Sequence, residues 1–233
     1  MFEFDLKRLR IQNRKAMLTI EGIKFNLAEN EKSFAILGDS GIGKTTIFRS
    51  LFSRYLESWS IERHFTFDCL HKFDGREFDH NDILKNKNIP SIGFATQAPY
   101  FFNSETVFEN IFLPLKWKKL KMSDEDKNKY ISLFELNELK SMNVSILSGG
   151  QKQLINIARM LVLKPQIAII DECFSSMNEG MSSQYINILK TRFNDVIFLI
   201  TSHRKFDVEK FGCRYISLYK EQFRGGGYYV THH

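Results

Sequence analysis

One stretch of nine residues has the residue types that bind a polyphosphate. Residues 38–46, Gly-Asp-Ser-Gly-Ile-Gly-Lys-Thr-Thr, fit the pattern G-x-x-x-x-G-K-[ST]. Glycines let backbone N–H groups converge on phosphate oxygens without a Cβ in the way. Lys44 supplies a positive charge for the terminal phosphates, and the Thr45 hydroxyl is a hard oxygen ligand for Mg²⁺. The predicted phosphate-binding residues are Gly38, Asp39, Ser40, Gly41, Ile42, Gly43, Lys44, Thr45 and Thr46.

The elements on either side must position this loop. Residues 33–37 are a short and mostly apolar run, which is typical of a buried parallel strand. Residues 47–56 carry apolar side chains at helical spacing. The loop is therefore predicted to join a strand to the start of a helix, whose dipole favours an anion. The apolar residues of that helix are Ile47, Phe48, Leu51, Phe52, Tyr55 and Leu56.

Two carboxylates follow a second strand-length apolar run, residues 167–170. Ligands bind at the carboxyl ends of the strands in α/β sheets. Asp171 is suited to hold Mg²⁺ in its second shell, and Glu172 is suited to orient or deprotonate a water. Two adjacent acids at a strand end are often only a solvated turn, but the phosphate-binding loop favours the functional interpretation.

Polar residues near other element ends complete the candidate chemistry. Ser148 and Gln151 have the S-x-x-Q spacing of a capping box, with Gly149 and Gly150 between them. This helix start is a second potential anion site, although taken alone it would more often be an ordinary one. Gln97 directly follows the predicted strand 92–96. His203 follows the predicted strand 196–200, and such a lone histidine is usually structural.

The rest of the chain is predicted more coarsely. Residues 1–32 are predicted to form strands, because residues 23–27 alternate apolar and polar side chains. We expect Ser104 to cap a helix that Pro114 ends, and Ser123 to cap another. The alternation at 215–219 predicts a final edge strand, and Gly225–Gly227 precedes an unassigned tail.

Composition limits the class of protein. The 233 residues are 43% hydrophobic, with 33 basic and 27 acidic residues. The mild positive charge is compatible with a nucleotide, a lipid surface or a nucleic acid. Three widely spaced cysteines suggest a reducing, cytosolic setting. We find neither a signal peptide nor an apolar run of about 20 residues, so we expect a soluble or peripheral protein.

The order of these motifs resembles that of the ATP-binding subunit of ATP-binding-cassette (ABC) transporters. Residues 38–46 match Walker A, Gln97 the Q-loop, residues 147–151 the LSGGQ signature, residues 167–172 Walker B, and His203 the switch histidine. Walker A alone fits many NTPases, whereas the signature placed ahead of Walker B is close to diagnostic. Residues 106–115 look like the lipoprotein-release and macrolide-efflux branch.

The resemblance implies a fold and a domain organisation. The fold would be α/β, a P-loop NTPase (RecA-like) core with an N-terminal antiparallel β subdomain and an inserted helical subdomain. One ABC ATPase domain would cover residues 1–233. Its core and β subdomain would lie in 1–97 and 164–233, and its helical signature subdomain in 98–163.

The resemblance also implies residue roles. Two subunits would pair head to tail around two ATP molecules, each between Walker A of one chain and the signature of the other. ATP would contact Ser148, Gly149, Gly150 and Gln151. Mg²⁺ would be bound by Thr45, Gln97 and, less directly, Asp171. The catalytic set would be Glu172 as general base, His203 on the γ-phosphate, and Gln97.

Three departures from the family pattern stand out. No aromatic residue for stacking on adenine is found around residues 9–14. Asn178 replaces the usual aspartate of the D-loop, which removes a charge at the predicted dimer interface. Cys173 and Phe174 replace the small or proline residues usual after Walker B. We expect hydrolysis to survive, because none of these changes touches the catalytic set.

The expected function is therefore an ATP-hydrolysing subunit that drives a separate transmembrane permease. It would act as a homodimer or with a paralogous cassette, without nucleic acid, in the cytoplasm on the inner face of the cell membrane. The alternative is a soluble ABC ATPase outside transport, of the cluster-assembly or cell-division type. A lysine cluster, Lys116 to Lys121, is either a solvated face or a contact for lipid headgroups or an acidic partner.

Overall fold

The computed structural model describes residues 1–12, 17–49, 64–78, 90–222 and 228–232. They belong to two compact units, a first unit of Met1–Pro90 with Cys213–His233 and a second unit of Ser91–Gly212. None of the helices in these ranges is long and apolar enough to cross a bilayer. The elements in chain order are β1 (Phe2–Gln12), β2 (Met17–Leu27), β3 (Ser33–Gly38), α1 (Lys44–Arg49), β4 (His64–Phe73), β5 (Arg76–Phe78), β6 (Ile92–Ala95), α2 (Val107–Trp117), α3 (Asp124–Leu133), α4 (Gly149–Leu161), β7 (Ile167–Asp171), α5 (Glu179–Arg192), β8 (Ile197–Ser202), α6 (Lys205–Phe211), β9 (Arg214–Gln222) and β10 (Tyr228–His232).

The strands of the first unit follow the order β5-β4-β1-β2-β10-β9-β3. Neighbours from β5 to β2 are antiparallel, as the alternation in residues 23–27 predicted. Ile23, Phe25 and Leu27 are buried, whereas Lys24 and Asn26 are exposed. The β3 strand pairs with β9 in parallel, and this pairing brings Gly38 beside Leu218.

An aromatic cluster joins α1 to the first unit's sheet. The rings of Phe25 and Phe34 stack with centroids 3.8 Å apart, and Phe4 stacks on Phe25 at 5.1 Å. Phe48 of α1 meets the rings of Phe4 and Phe25 edge-on, at 6.4 and 6.5 Å. Such pairs add about 0.5–1.5 kcal/mol beyond the area they bury. This packing fixes α1, and with it the loop that precedes α1.

The prediction that 215–219 form an edge strand is wrong. The β9 strand lies between β3 and β10, and β10 in turn pairs with β2. The unassigned tail supplies β10, so its backbone covers the side of β9 that the sequence analysis left open. The glycines at 225–227 lie outside the described residues, as do Leu51, Phe52, Tyr55 and Leu56.

The second unit contains three parallel strands in the order β8-β7-β6. Every residue of β7 and β8 is buried, as expected for strands that read as continuous apolar runs. The apolar face of α4 is buried as well, including Leu154, Ile157 and Leu161. Asp171 is the last residue of β7, and His203 directly follows β8. The predicted helical segment 98–163 falls within this unit.

Two predictions about α2 are wrong. Thr106, not Ser104, caps it, because Thr106 Oγ1 accepts from Glu109 N and the Glu109 carboxylate accepts from Thr106 N. The T-x-x-E spacing was the signal for this cap. Pro114 lies inside the helix and does not end it. Proline has no backbone N–H to donate, but the Pro114 carbonyl still accepts from Lys118 N. The next residue, Leu115, is buried. Ser123 caps α3 as predicted.

Candidate functional site

The predicted phosphate-binding loop lies in the first unit, between β3 and α1. The Lys44 ammonium donates to the carbonyl oxygens of Gly38 and Asp39, both at 2.7 Å, and Lys44 is only 2% exposed. A Cβ on Gly38 would lie 2.9 Å from the Leu218 carbonyl oxygen, and Gly43 has φ +102°. Glycine is therefore required at both positions. The sequence motif is a folded loop that holds its own lysine.

The two carboxylates lie in the second unit, at the end of β7, where the sequence predicted them. Asp171 is 2% exposed and accepts from Thr201 Oγ1 at 2.6 Å. The backbone N–H of Glu172 donates to both the carbonyl and the hydroxyl oxygen of Thr201, at 3.1 Å each. One threonine of β8 thus fixes both residues.

Glu172 has a left-handed backbone conformation, φ +51° and ψ +23°. This conformation is uncommon for a residue with a side chain and costs on the order of 1–3 kcal/mol. Such strain persists where surrounding contacts impose it, and it concentrates at functional sites. The hydrogen bonds of Glu172 to Thr201 are such contacts.

Gln97 and His203 both reach the Glu172 carboxylate. Gln97 Nε2 donates to Glu172 Oε2 at 3.1 Å, and His203 Nδ1 lies 3.4 Å from the same oxygen. The Glu172 side chain is 6% exposed, whereas His203 is 41% exposed. The second unit therefore brings together all three predicted catalytic residues, with Asp171 adjacent, around one buried carboxylate. The role of each remains a proposal.

The predicted capping box forms at the start of α4. Gln151 Oε1 accepts from Ser148 N at 2.9 Å, and Ser148 Oγ accepts from Gln151 N at 3.3 Å. Ser148 and Gly149 are exposed, whereas Gly150 is buried. The positive end of the helix dipole is thus presented on the surface of the second unit.

Three polar residues of α4 that the sequence analysis missed hold the segment around Gln97. Gln153 donates to the Gln97 carbonyl at 2.5 Å, Asn156 to Thr96 at 2.9 Å, and Arg159 to Tyr100 at 2.7 Å. Their spacing of three residues puts them on one helix face. Burial lowers the pKa of Arg159. Polar side chains at helical spacing within an apolar stripe were the signal for this row.

Cys173 fits the interior behind Glu172. It is fully buried, and its thiol lies 3.4 Å from the Ala95 carbonyl. Asn178 Oδ1 accepts from Met181 N at 2.8 Å and so caps α5. Cys173 and Asn178, which depart from the family pattern, therefore each have a local structural role.

The chain belongs to the ABC transporter family, whose model matches residues 20–175. It is 34% identical over 194 residues to the methionine import ATP-binding protein MetN of Lactobacillus acidophilus, covering 78% of this chain and 52% of MetN. It is 35% identical over 179 residues to the spermidine/putrescine import ATP-binding protein PotA of Fusobacterium nucleatum, covering 75% and 44%. It therefore spans about half the length of these two relatives. The phosphate import ATP-binding protein PstB of Saccharolobus solfataricus is 31% identical over 216 residues, covering 89% of this chain and 80% of PstB.

Solved structures share the fold. The dimeric bacterial ABC transporter cassette MJ0796 superposes with a TM-score of 0.69 at 20% identity, over 94% of each chain. Its post-hydrolysis dimer bound to ADP and Pi gives 0.70 at 22% identity, over 97% of this chain and 100% of that one. The predicted fold class is confirmed: an antiparallel β subdomain, a parallel α/β core and a helical region.

Proposed function

We propose that this protein is the ATP-binding and ATP-hydrolysing subunit of an ABC transporter. The observation that carries the proposal is the convergence of Gln97 and His203 on the buried, strained Glu172. The chain also has a folded phosphate-binding loop with Lys44 at its centre. Phosphoryl transfer depends mainly on positioning and charge neutralisation, which these two features supply.

The loop of the first unit is proposed to bind the phosphates of ATP. In the first unit, the backbone N–H groups of residues 38–46 bind the phosphates, and Lys44 exchanges its contacts with loop carbonyls for phosphate oxygens. The exchange is favourable because a phosphate carries a full charge and a carbonyl only a dipole. The loop is thereby held in shape before ATP arrives.

The available oxygen donors fit Mg²⁺. The ligands that the family resemblance implies are the Thr45 hydroxyl of the first unit, and the Gln97 amide oxygen and, through a water, Asp171 of the second unit. Gln97 uses its amide nitrogen on Glu172, so its oxygen is the atom suited to the metal. Among the described residues, no group of three or more His, Cys, Asp and Glu side chains is arranged so that it could hold a metal ion by itself. This agrees with a metal that binds together with substrate phosphates and keeps several waters. When bound, Mg²⁺ would neutralise charge on the phosphates.

Glu172 is the proposed general base. It receives a proton from a water whose oxygen bonds to the γ-phosphorus while the bond to the bridging oxygen breaks, which gives ADP and phosphate. Gln97 fixes one carboxylate oxygen. With its Nδ1 directed at Glu172, His203 has Nε2 to offer to the γ-phosphate. Preorganised donors of this kind stabilise the charge of the transition state.

The exposed start of α4 is proposed to complete the nucleotide site of a second cassette subunit, either another copy or a paralogue. Ser148 and Gly149 are exposed, and the helix dipole there favours an anion. The dimeric cassettes with the same fold support this arrangement.

A patch of exposed apolar residues is proposed to contact the permease. Tyr100 is 79% exposed and Trp117 64% exposed, and both rings meet Phe102 edge-on, with centroids 6.1 and 5.8 Å away. Exposed aromatic clusters of this kind mark interaction sites. The lysine cluster, exposed from Lys116 to Lys121, adjoins Trp117 and suits an acidic partner. Binding there would hold the protein at the inner face of the cell membrane.

The direction of transport is left to the permease in this proposal. Residues 106–115 favour the lipoprotein-release and macrolide-efflux branch, whereas the relatives named above are import proteins. We therefore propose the cassette function without a branch.

A Glu172→Gln substitution tests the chemistry. Glutamine has the size of glutamate but lacks the basic carboxylate. We therefore expect kcat to fall by about 10²–10⁴-fold, while ATP still binds. The matched control is Glu138→Gln, at an exposed position, which should hydrolyse ATP like the wild type. If the wild type is active and Glu172→Gln equally so, Glu172 is not the base.

A pull-down tests the transporter assignment. Tagged Glu172→Gln protein, with ATP and Mg²⁺, should recover a polytopic membrane protein from detergent-solubilised membranes of its host. Recovery of soluble proteins alone would indicate an ABC ATPase outside transport.

A further inference from the structure

Arg204, the residue after His203, makes a dense set of contacts in the second unit. Its guanidinium binds both carboxylate oxygens of Asp207, with Nε at 3.0 Å from Oδ2 and Nη2 on Oδ1. Its Nη1 donates to the Met177 carbonyl at 2.6 Å, and its Nη2 donates to Ser182 Oγ at 2.8 Å. The Asp207 side chain is 0% exposed and that of Arg204 22% exposed. A bidentate ion pair buried to this degree has a fixed geometry.

Further hydrogen bonds hold the backbone on either side of His203. Ser202 Oγ accepts from Arg204 N at 2.9 Å and donates to Asp207 Oδ2 at 3.2 Å. The residues on either side of His203 are therefore tied to each other and to Asp207. The His203 side chain itself is 41% exposed, so packing alone does not set its position.

The same guanidinium reaches the segment that leads into α5. Met177 immediately precedes the cap residue Asn178, and Ser182 lies in the first turns of α5 and is 0% exposed. One side chain thus joins the end of β8, the start of α6 and the start of α5. His203 lies between β8 and α6, and residues 175–178 directly precede α5.

We propose that Arg204 is a positioning residue for hydrolysis. It holds His203 at the Glu172 carboxylate and at a fixed distance from residues 175–178. The inference rests on the proposed ATPase function. Arginine is needed because its planar fork makes four directed hydrogen bonds at once, to the Asp207, Met177 and Ser182 acceptors. A lysine has a point charge and no fork, so it keeps the ion pair with Asp207 and loses the geometry.

The test is Arg204→Lys in the full chain, with Arg192→Lys as the matched control at an exposed position on α5. Arg204→Lys should lower kcat by about 10- to 100-fold, since a misplacement of about 1 Å costs that much. The KM for ATP should stay within about twofold, because ground-state binding is not altered. Arg192→Lys should match the wild type.

A double-mutant cycle with His203→Ala separates positioning from a general loss of structure. Measured by single turnover, Arg204→Lys should change the rate by less than about twofold in the His203→Ala background. An equal loss in both backgrounds, or an unchanged kcat in Arg204→Lys, would overturn the proposal. A wild type without ATPase activity would instead contradict the proposed function.

A charge-neutral pair covers the case in which Arg204→Lys does not fold. Arg204→Met with Asp207→Leu removes both buried charges, which proteins tolerate far better than the loss of one. It should fold, as judged by thermal unfolding, and show the same loss of kcat with an unchanged KM. A folded pair with wild-type kcat would overturn the proposal.

Discussion

Glu172 is held by three residues from two segments of the second unit. Gln97 and His203 contact its carboxylate, and Thr201 accepts from its backbone N–H. Gln97 follows β6, Thr201 lies in β8, and His203 follows β8. The left-handed backbone at Glu172 requires these contacts, since it costs free energy on its own. Residue type predicted the chemistry of Glu172, but only the fold shows how its orientation is imposed.

The thiol of Cys173, next to Glu172, should not react with alkylating reagents in the folded protein. Burial raises the pKa of its thiol well above the ordinary value, and the charge of Asp171 adds to this effect. A raised pKa means less thiolate at pH 8, and the thiolate is the form that reacts with alkylating reagents. In native protein at pH 8, iodoacetamide should therefore leave Cys173 unmodified, as judged by peptide mass spectrometry.

The other cysteines provide the comparison. Cys69 and Cys213 are only partly buried and should be alkylated faster. In denaturant all three should react at similar rates. Native labelling of Cys173 as fast as that of Cys213 would show that the interior behind Glu172 opens readily.

At the scale of elements, local rules predicted the structure where the partners are close in sequence. The capping box at Ser148, the side-chain cap at Ser123 and the loop at 38–46 follow from residues within a few positions of each other. Features set by distant residues were not predicted. The contact between Gln153 and Gln97 spans 56 residues, and the position of β9 depends on β10 and β2. Arg204 was overlooked because its acceptors at 177 and 182 precede it by more than 20 residues.

The cap of α5 gives a prediction about stability. Asn178→Ala removes the acceptor for Met181 N–H and should lower the free energy of unfolding by about 1 kcal/mol. Asn178→Asp keeps an acceptor and adds a charge that the helix dipole favours, so its stability should equal or slightly exceed the wild type's. Urea denaturation of the purified protein measures both.

The control is Asn187→Ala, the same substitution at an exposed position in the interior of α5. It should not destabilise, because alanine has the better helix propensity. If Asn178→Ala were as stable as Asn187→Ala, the cap would contribute nothing. The reason for asparagine at this position would then have to lie outside the monomer.

At the scale of the whole molecule, the proposed chemistry needs a second subunit, because the exposed start of α4 is assigned to the nucleotide of another chain. The site residues of the second unit cluster around Glu172, whereas Ser148 and Gly149 lie on its surface. A monomer would then bind ATP and hydrolyse it slowly. Association should depend on ATP and Mg²⁺, and hydrolysis should reverse it.

Sedimentation of Glu172→Gln protein tests this dependence. With ATP and Mg²⁺ it should sediment as a dimer, and removal of Mg²⁺ by EDTA should return it to monomer, because the phosphate charges are then no longer neutralised. Ser148→Asp in the same background keeps a side-chain acceptor for Gln151 N–H, so the cap of α4 survives. It places a negative charge where the proposed dimer holds a phosphate, and it should therefore remain monomeric. Ser148→Asn introduces a neutral cap residue of the same size as aspartate, and this variant should still form the dimer. A Ser148→Asp dimer that forms as readily as the Ser148→Asn dimer would show that α4 does not face a nucleotide.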